Sequence, residues 1–275
     1  MRLLVSNDDG IHSPGLALLA AAAQAFGDVR VVAPDVEQSS SGHAITASRP
    51  LTCRPTTMRG LDACRVNGTP ADCVALGLDQ WDHRVDVVLS GLNIGLNLGP
   101  AVWHSGTLAA AKQAALLGVR GIALSAPASL DPDFSQLEPW LHRVLRTLLV
   151  DTPPLPLVNV NLPREPRGLL WTRASPQHYD GRIVRAEDPL GREIFWFTVA
   201  ATATADDQSD RWAVEQRWVS LTPLTLDITD DAALTTLRRG HPLDEAVANR
   251  ISAAVSSQAD AARVRDDEAA DPSGS

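Results

Sequence analysis

The chain has no surplus of positive charge. Its 24 Lys and Arg are outnumbered by 33 Asp and Glu, giving a formal net charge of -9, so its surface has no general electrostatic reason to gather a nucleic-acid polymer. Cysteine is sparse too: Cys53, Cys64 and Cys73 are the three present, without CxxC spacing and with one left over if two pair. They read as reduced thiols of a cytoplasmic protein. The start of the chain lacks the charged, long-apolar, small-residue progression of a secretory leader, and "GLALLAAAAQAF" is too short and too alanine-rich to span a bilayer, so neither export nor membrane association is expected. Also missing are a dinucleotide fingerprint, a histidine and cysteine cluster with zinc spacing, a G-x-S-x-G elbow and any internal repeat.

What is present is a regular alternation. "RLLVS", "DVRVVAP", "DVVLSG", "GIALSA" and "PLVNVNL" are short apolar runs separated by helical stretches such as "PGLALLAAAAQAF" and "GTLAAAKQAALLGV". Strands that are continuously apolar, joined through helices, predict an α/β, Rossmann-like, mostly parallel sheet covered on both faces. Pro14 and Gly15 open the first helix and Gly27 reads as its stop. At 275 residues the chain is long enough for one large domain, expected over residues 1–255. From about 171 to 230 the pattern reads as hairpins or arms, and 256–275 as a polar, disordered tail.

Ligands of such sheets bind outside the carboxyl ends of the strands, and there this chain places its unusual polar residues. "SNDDG" follows the first strand, "APDVEQSSSGH" the second, and "GLNIGLNLGPAVWHSGT" the strand "DVVLS". Adjacent carboxylates such as Asp8 and Asp9 repel, and sharing a crevice is costly unless a divalent cation neutralises them; helix capping by one of them is the bland alternative. Ser39, Ser40 and Ser41 offer hydroxyls, while Asn93 and Asn97 offer amide oxygens suited to a hard cation or a phosphate. Ser105, Gly106 and Thr107 precede an alanine-rich helix, where exposed N–H groups make an anion site or the hydroxyls simply cap. Oxygen donors beside an anion site suggest phosphate-ester chemistry assisted by Mg²⁺ or Mn²⁺.

In order and spacing, "LLVSNDDGIHSPGL", "VVAPDVEQSS", "VNGTPADCVALGL", "VVLSGLNIGLNLG" and "HSGTLAAA" resemble the SurE survival-protein family of metal-dependent nucleotidases. The likeness continues through "VNVNLP", "HYDGRIVRAEDPLGREIFWF", "WAVEQRWVSLTPL" and "LDIT", to about residue 230. It implies one divalent ion per subunit, Mg²⁺ or Mn²⁺, held by Asp8, Asp9, Ser39 and Asn93, and a phosphate pocket at Asn97 with Ser105, Gly106 and Thr107. It also implies hydrolysis of 5'- and 3'-nucleoside monophosphates, with polyphosphate as a side substrate, and homodimers or homotetramers made by exchanging C-terminal arms. "GTPADC", with Gly68, Thr69 and Pro70, would lie near the crevice. Ser40 stands where many relatives have glycine, and His104 where tyrosine is frequent.

Two catalytic routes are compatible with the residues: attack on phosphorus by Asp8, or attack by a metal-activated water with Asp8 or Asp9 positioning it or taking its proton. The second needs fewer steps. His12 and His43 are further candidates for proton transfer or phosphate contact, but a histidine packed and hydrogen-bonded in its loop is the preferred reading of either one. A nucleotide-sensing module without turnover would not need paired carboxylates beside an anion, and a Ser39–Ser41 acyl-transfer site with His43 would leave them unexplained.

Overall fold

The computed structural model describes residues 1–81, 84–128, 135–177, 181–199 and 206–240. They fall into two compact units, Met1–Leu226 and a second that begins at Asp227. The second contributes one described helix, α6 (Asp231–Gly240); the expected tail at 256–275 lies outside the described residues.

The first unit is built on β1 (Arg2–Ser6), whose Leu3, Leu4 and Val5 are completely buried. Successive side chains of a strand point to opposite faces, so both faces here must be covered by apolar layers. Leu3 and Val5 pack on one side with α1 (Pro14–Ala23) and α4 (Glu138–Arg146). Leu4 packs on the other with α2 (Pro70–Gln80) and α3 (Gly106–Leu116). Three further parallel strands, β2 (Asp28–Pro34), β5 (Val87–Ile94) and β6 (Arg120–Ala126), share this two-sided burial.

Around them the sheet is completed by β3 (Cys53–Met58), β4 (Leu61–Val66), β7 (Leu157–Asn161), β8 (Gly168–Trp171) and β11 (Trp218–Pro223), in the order β3-β4-β2-β1-β5-β6-β7-β11-β8. The pairs from β4 through β7 are parallel; β3 runs antiparallel to β4, and β11 antiparallel to β7. Strand order reverses at β1, with β2 on one side and β5 on the other. A crevice at such a switch point is where an α/β sheet binds its ligand.

Three expectations are corrected. α1 ends at Ala23, before Gly27, and the glycine serves packing: a Cβ there would lie 2.0 Å from the Met1 carbonyl oxygen. The arm is shorter than 171–230. β9 (Gly181–Glu187) and β10 (Glu193–Val199) form a separate antiparallel hairpin, whereas β8 and β11 join the main sheet because Val219 and Leu221 complete its core. Finally, Cys53 and Cys64 are joined by a disulfide and only Cys73 is free. The β3–β4 register, Cys53 opposite Val66 and Pro55 opposite Cys64, brings the two to a Cα separation of 5.7 Å.

Candidate active site

Asp8 and Asp9 leave the carboxyl end of β1 and meet two other strand ends. The β2 loop is pinned beneath them, since the Gln38 N–H donates to the Asp8 carbonyl at 2.8 Å, and this carries Ser39 to the site. On the other side the β5–β6 register shifts between Ser90 and Asn93. A bulge of this kind bends a strand and re-aims its side chains, here bringing Asn93 and the following loop over the crevice. The Gly42 N–H donates to the His104 carbonyl at 3.1 Å, closing the β2 loop onto the β5 loop.

The result is a cavity of about 210 Å³ whose wall includes Asp8, Ser39, Asn93, Asn97, His104 and Ser105. Ser40 lines it as well. Asp9 stands against the same β5 segment, accepting from the Ile94 N–H at 3.4 Å. Asn93 donates its Nδ2 to the Gly95 carbonyl at 2.6 Å, so Oδ1 is the atom it could offer a cation.

The start of α3 is devoted to Asp8. Thr107 donates its hydroxyl to Asp8 Oδ1 at 2.6 Å, and a Cβ on Gly106 would lie 2.7 Å from the Asp8 Cβ and 2.8 Å from its Oδ2. Only a glycine lets the carboxylate rest this closely on the helix N-terminus, where the partial positive charge of the helix favours it. Ser105 caps the same helix, accepting from the Leu108 N–H at 3.1 Å. Thus Ser105 both caps and lines the cavity, while Thr107 turns its hydroxyl to Asp8.

Electrostatically the crevice is poised for a cation. Burial pushes the Asp8 carboxyl above its ordinary value, and burial together with the Asp8 charge pushes Asp9 up to about 6. Glu37 adds to both, and it holds Ser39, whose hydroxyl donates to Glu37 Oε1 at 2.6 Å. Among the described residues no lysine, arginine or histidine forms an ion pair with Asp8 or Asp9, and no three His, Cys, Asp or Glu side chains gather as a metal cluster. Two carboxylates completed by a hydroxyl and an amide oxygen are a donor set for a hard ion.

Other candidates are placed elsewhere. Asn97 lines the cavity but is bound into the interior: its N–H donates to Asn161 Oδ1 at 2.8 Å and its Nδ2 to Ser125 Oγ at 2.9 Å. His43 pairs with Gln113 through Nε2 at 2.9 Å, and His12 lines a separate groove beside α1. Thr69 caps α2 in a capping box with Asp72 and donates its hydroxyl to the Ala44 carbonyl, so "GTP" ties down the β2–β3 connection and does not line the cavity. Glu37 was not anticipated; the only sequence signal for it is a carboxylate two residues ahead of Ser39.

A family model described as Survival protein SurE matches residues 3–181. The chain is similar to a protein named 5'-nucleotidase SurE 1 from Thermus thermophilus, with 44% identity over 243 residues, 86% of this chain and 96% of that one. A 5'-nucleotidase SurE from Deinococcus radiodurans is 44% identical over 239 residues, 83% of this chain and 88% of its own length. Its fold is similar to the crystal structure of the SurE protein from Aquifex aeolicus, with a TM-score of 0.74 and 33% identity over 87% of this chain and 99% of that one. With the family model matched over 3–181 and relatives covered along nearly their whole length, this chain belongs to the SurE family.

Proposed function

We propose that this chain is a 5'-nucleotidase: a phosphomonoesterase that releases phosphate from nucleoside monophosphates with the help of one divalent cation per subunit. The names of its relatives support the nucleotidase reading. The observation that carries the chemistry is the convergence of Asp8, Ser39 and Asn93 on a single cavity, with Asp9 beside it.

Asp8, Asp9, Ser39 and Asn93 would hold the ion, Mg²⁺ or Mn²⁺. When bound, it supplies charge neutralisation and Lewis acidity toward a phosphoryl oxygen. The chain's own residues do the rest. Thr107 and the α3 start fix the Asp8 carboxylate in one orientation, so that Asp8, the member of the pair lining the cavity, takes the proton of the attacking water. Glu37 orients the Ser39 hydroxyl. Ser105 and Asn97 at the cavity wall receive the phosphate, and His104 at the wall meets the nucleoside. The same terminal phosphate is offered by 3'-nucleotides and by polyphosphate ends.

Oligomers follow from the hairpin. β9–β10 exposes apolar side chains on both faces, Ile183 and Phe195 on one at 62% and 55% and Trp196 on the other at 60%, which a second copy would cover in a homodimer or homotetramer by exchanging arms. The deciding experiment is phosphate release from a panel of 5'- and 3'-nucleoside monophosphates and polyphosphate, with Mg²⁺, with Mn²⁺ and with chelator. Release that needs a metal is expected; a folded protein inert under all conditions would leave nucleotide sensing as the activity.

A further inference from the structure

Asp210 is completely buried, yet it neither lines the cavity nor belongs to the expected ligand set. Two backbone N–H groups from distant parts of the chain converge on it, and a third comes from its own neighbour. Gly99 donates to Oδ2 at 2.8 Å; Ser175 and Arg211 donate to Oδ1 at 2.9 and 2.8 Å. A buried carboxylate is sustained by such donors, and a replacement that satisfies fewer of them leaves polar groups orphaned.

What these donors belong to gives the arrangement its meaning. Gly99 begins the 3₁₀ turn Gly99–Trp103, which leads through His104 to Ser105, the cap of α3, and Ala101, His104 and Ser105 line the cavity. Ser175 precedes the β9–β10 hairpin, and Asp210 follows it in α5 (Asp210–Glu215). The two roots of the hairpin are themselves joined, since the Asp210 N–H donates to the Arg173 carbonyl at 2.8 Å and Arg173 bridges to Ser209. Gly99 fits so closely that a Cβ, added at its φ of +51°, would lie 2.8 Å from the Ser175 carbonyl oxygen. Two residues upstream, Asn97 is locked separately by Asn159, Asn161 and Ser125.

We propose that Asp210 is a positioning residue for phosphate turnover: it anchors the cavity-lining turn Gly99–Ser105 to both roots of the β9–β10 hairpin, so the position of the arm is felt in the site. This rests on the phosphatase reading above. Asp210→Asn keeps the shape but replaces one accepting oxygen with an NH₂ that faces an N–H donor. Asp8, Asp9, Ser39 and Asn93 are untouched, so metal binding and turnover separate.

The test uses the full chain. In Asp210→Asn, kcat/KM for a nucleoside monophosphate falls about 10- to 100-fold, the Mn²⁺-induced rise in melting temperature stays at the wild-type value, and amide exchange at 99–105 speeds at least about tenfold while β1 and α1 keep their protection. Gly99→Ala, which attacks the same joint from the loop side, reproduces this pattern and decides the matter if Asp210→Asn does not fold. Wild-type kinetics in the variant, or loss of the Mn²⁺ shift together with turnover, overturns the positioning role. A wild type that releases no phosphate with any ion overturns the phosphatase reading instead, a result separate from an active wild type with indifferent variants.

Discussion

Asp9→Asn should inactivate the protein and, in the absence of metal, make it more stable. Asp9 is half-buried beside the buried Asp8, and its carboxyl is pushed from an ordinary 3.8 up to about 6 by burial and then by the Asp8 charge. A folded-state value above the unfolded one means stabilisation that is complete below about pH 4 and lost as pH rises through about 6. Taken at face value that loss is about 3 kcal/mol, and solvent around a half-exposed group screens it to about 1 kcal/mol. Asparagine keeps an oxygen for the Ile94 N–H and carries no charge. In chelator at pH 7.5 the variant should therefore melt about 2–4 °C higher, and its stability should fall less between pH 4 and 6.5. Mn²⁺ at about a hundred times its dissociation constant stabilises the wild type by about 2.7 kcal/mol; the variant should lose most of that shift and its phosphatase activity. Calorimetry over this pH range, with and without Mn²⁺, reads every arm. A variant that melts lower than wild type in chelator, or that retains the full Mn²⁺ shift, refutes the idea that Asp9 is an electrostatic burden relieved by a cation.

Thr107→Val removes the hydroxyl that donates to buried Asp8; it should cost about 1–3 kcal/mol of stability and lower turnover, and wild-type kinetics would show that Asp8 needs no such holder. Gly106→Ala sets two effects against each other: alanine favours a helix by about 1 kcal/mol over glycine, but here its Cβ would intrude on Asp8. Loss of at least about tenfold in kcat/KM is expected, and a stabilised, fully active variant would refute the close fit. Trp196→Asp on one exposed face of β10 should shift light-scattering mass toward the monomer; unchanged mass would exclude this face from the interface.

The parallel core was legible because each of its strands is apolar throughout, a pattern that two covered faces require. The loops that meet in the crevice were legible because the carboxyl ends of parallel strands converge. Asp8, Ser39 and Asn93 could thus be brought together on paper. What escaped was long-range pairing. Thr107 is 99 residues from Asp8 and Asp210 is 111 from Gly99, and no local period encodes either bond. The Ser105–Thr107 stretch looks alike whether its groups turn to a phosphate or to a carboxylate of the same chain. Gly27 resembles a helix stop, yet its small size answers to Met1. Cys53 and Cys64 looked unrelated until the β3–β4 register set them side by side.

β11 lies between β7 and β8, although it is the last of the three to be made. As the chain leaves a ribosome, β8 has no neighbour in the sheet and β7 has a bare edge until residues 218–223 emerge, by which time the whole hairpin has been synthesised. A product ending just after the hairpin would therefore be an open sheet with β8 unpaired and β7 bare along one edge, and it would not be a smaller working enzyme. The protein completes its scaffold from the middle of that edge, with the insertion of Trp218–Pro223 as the closing step.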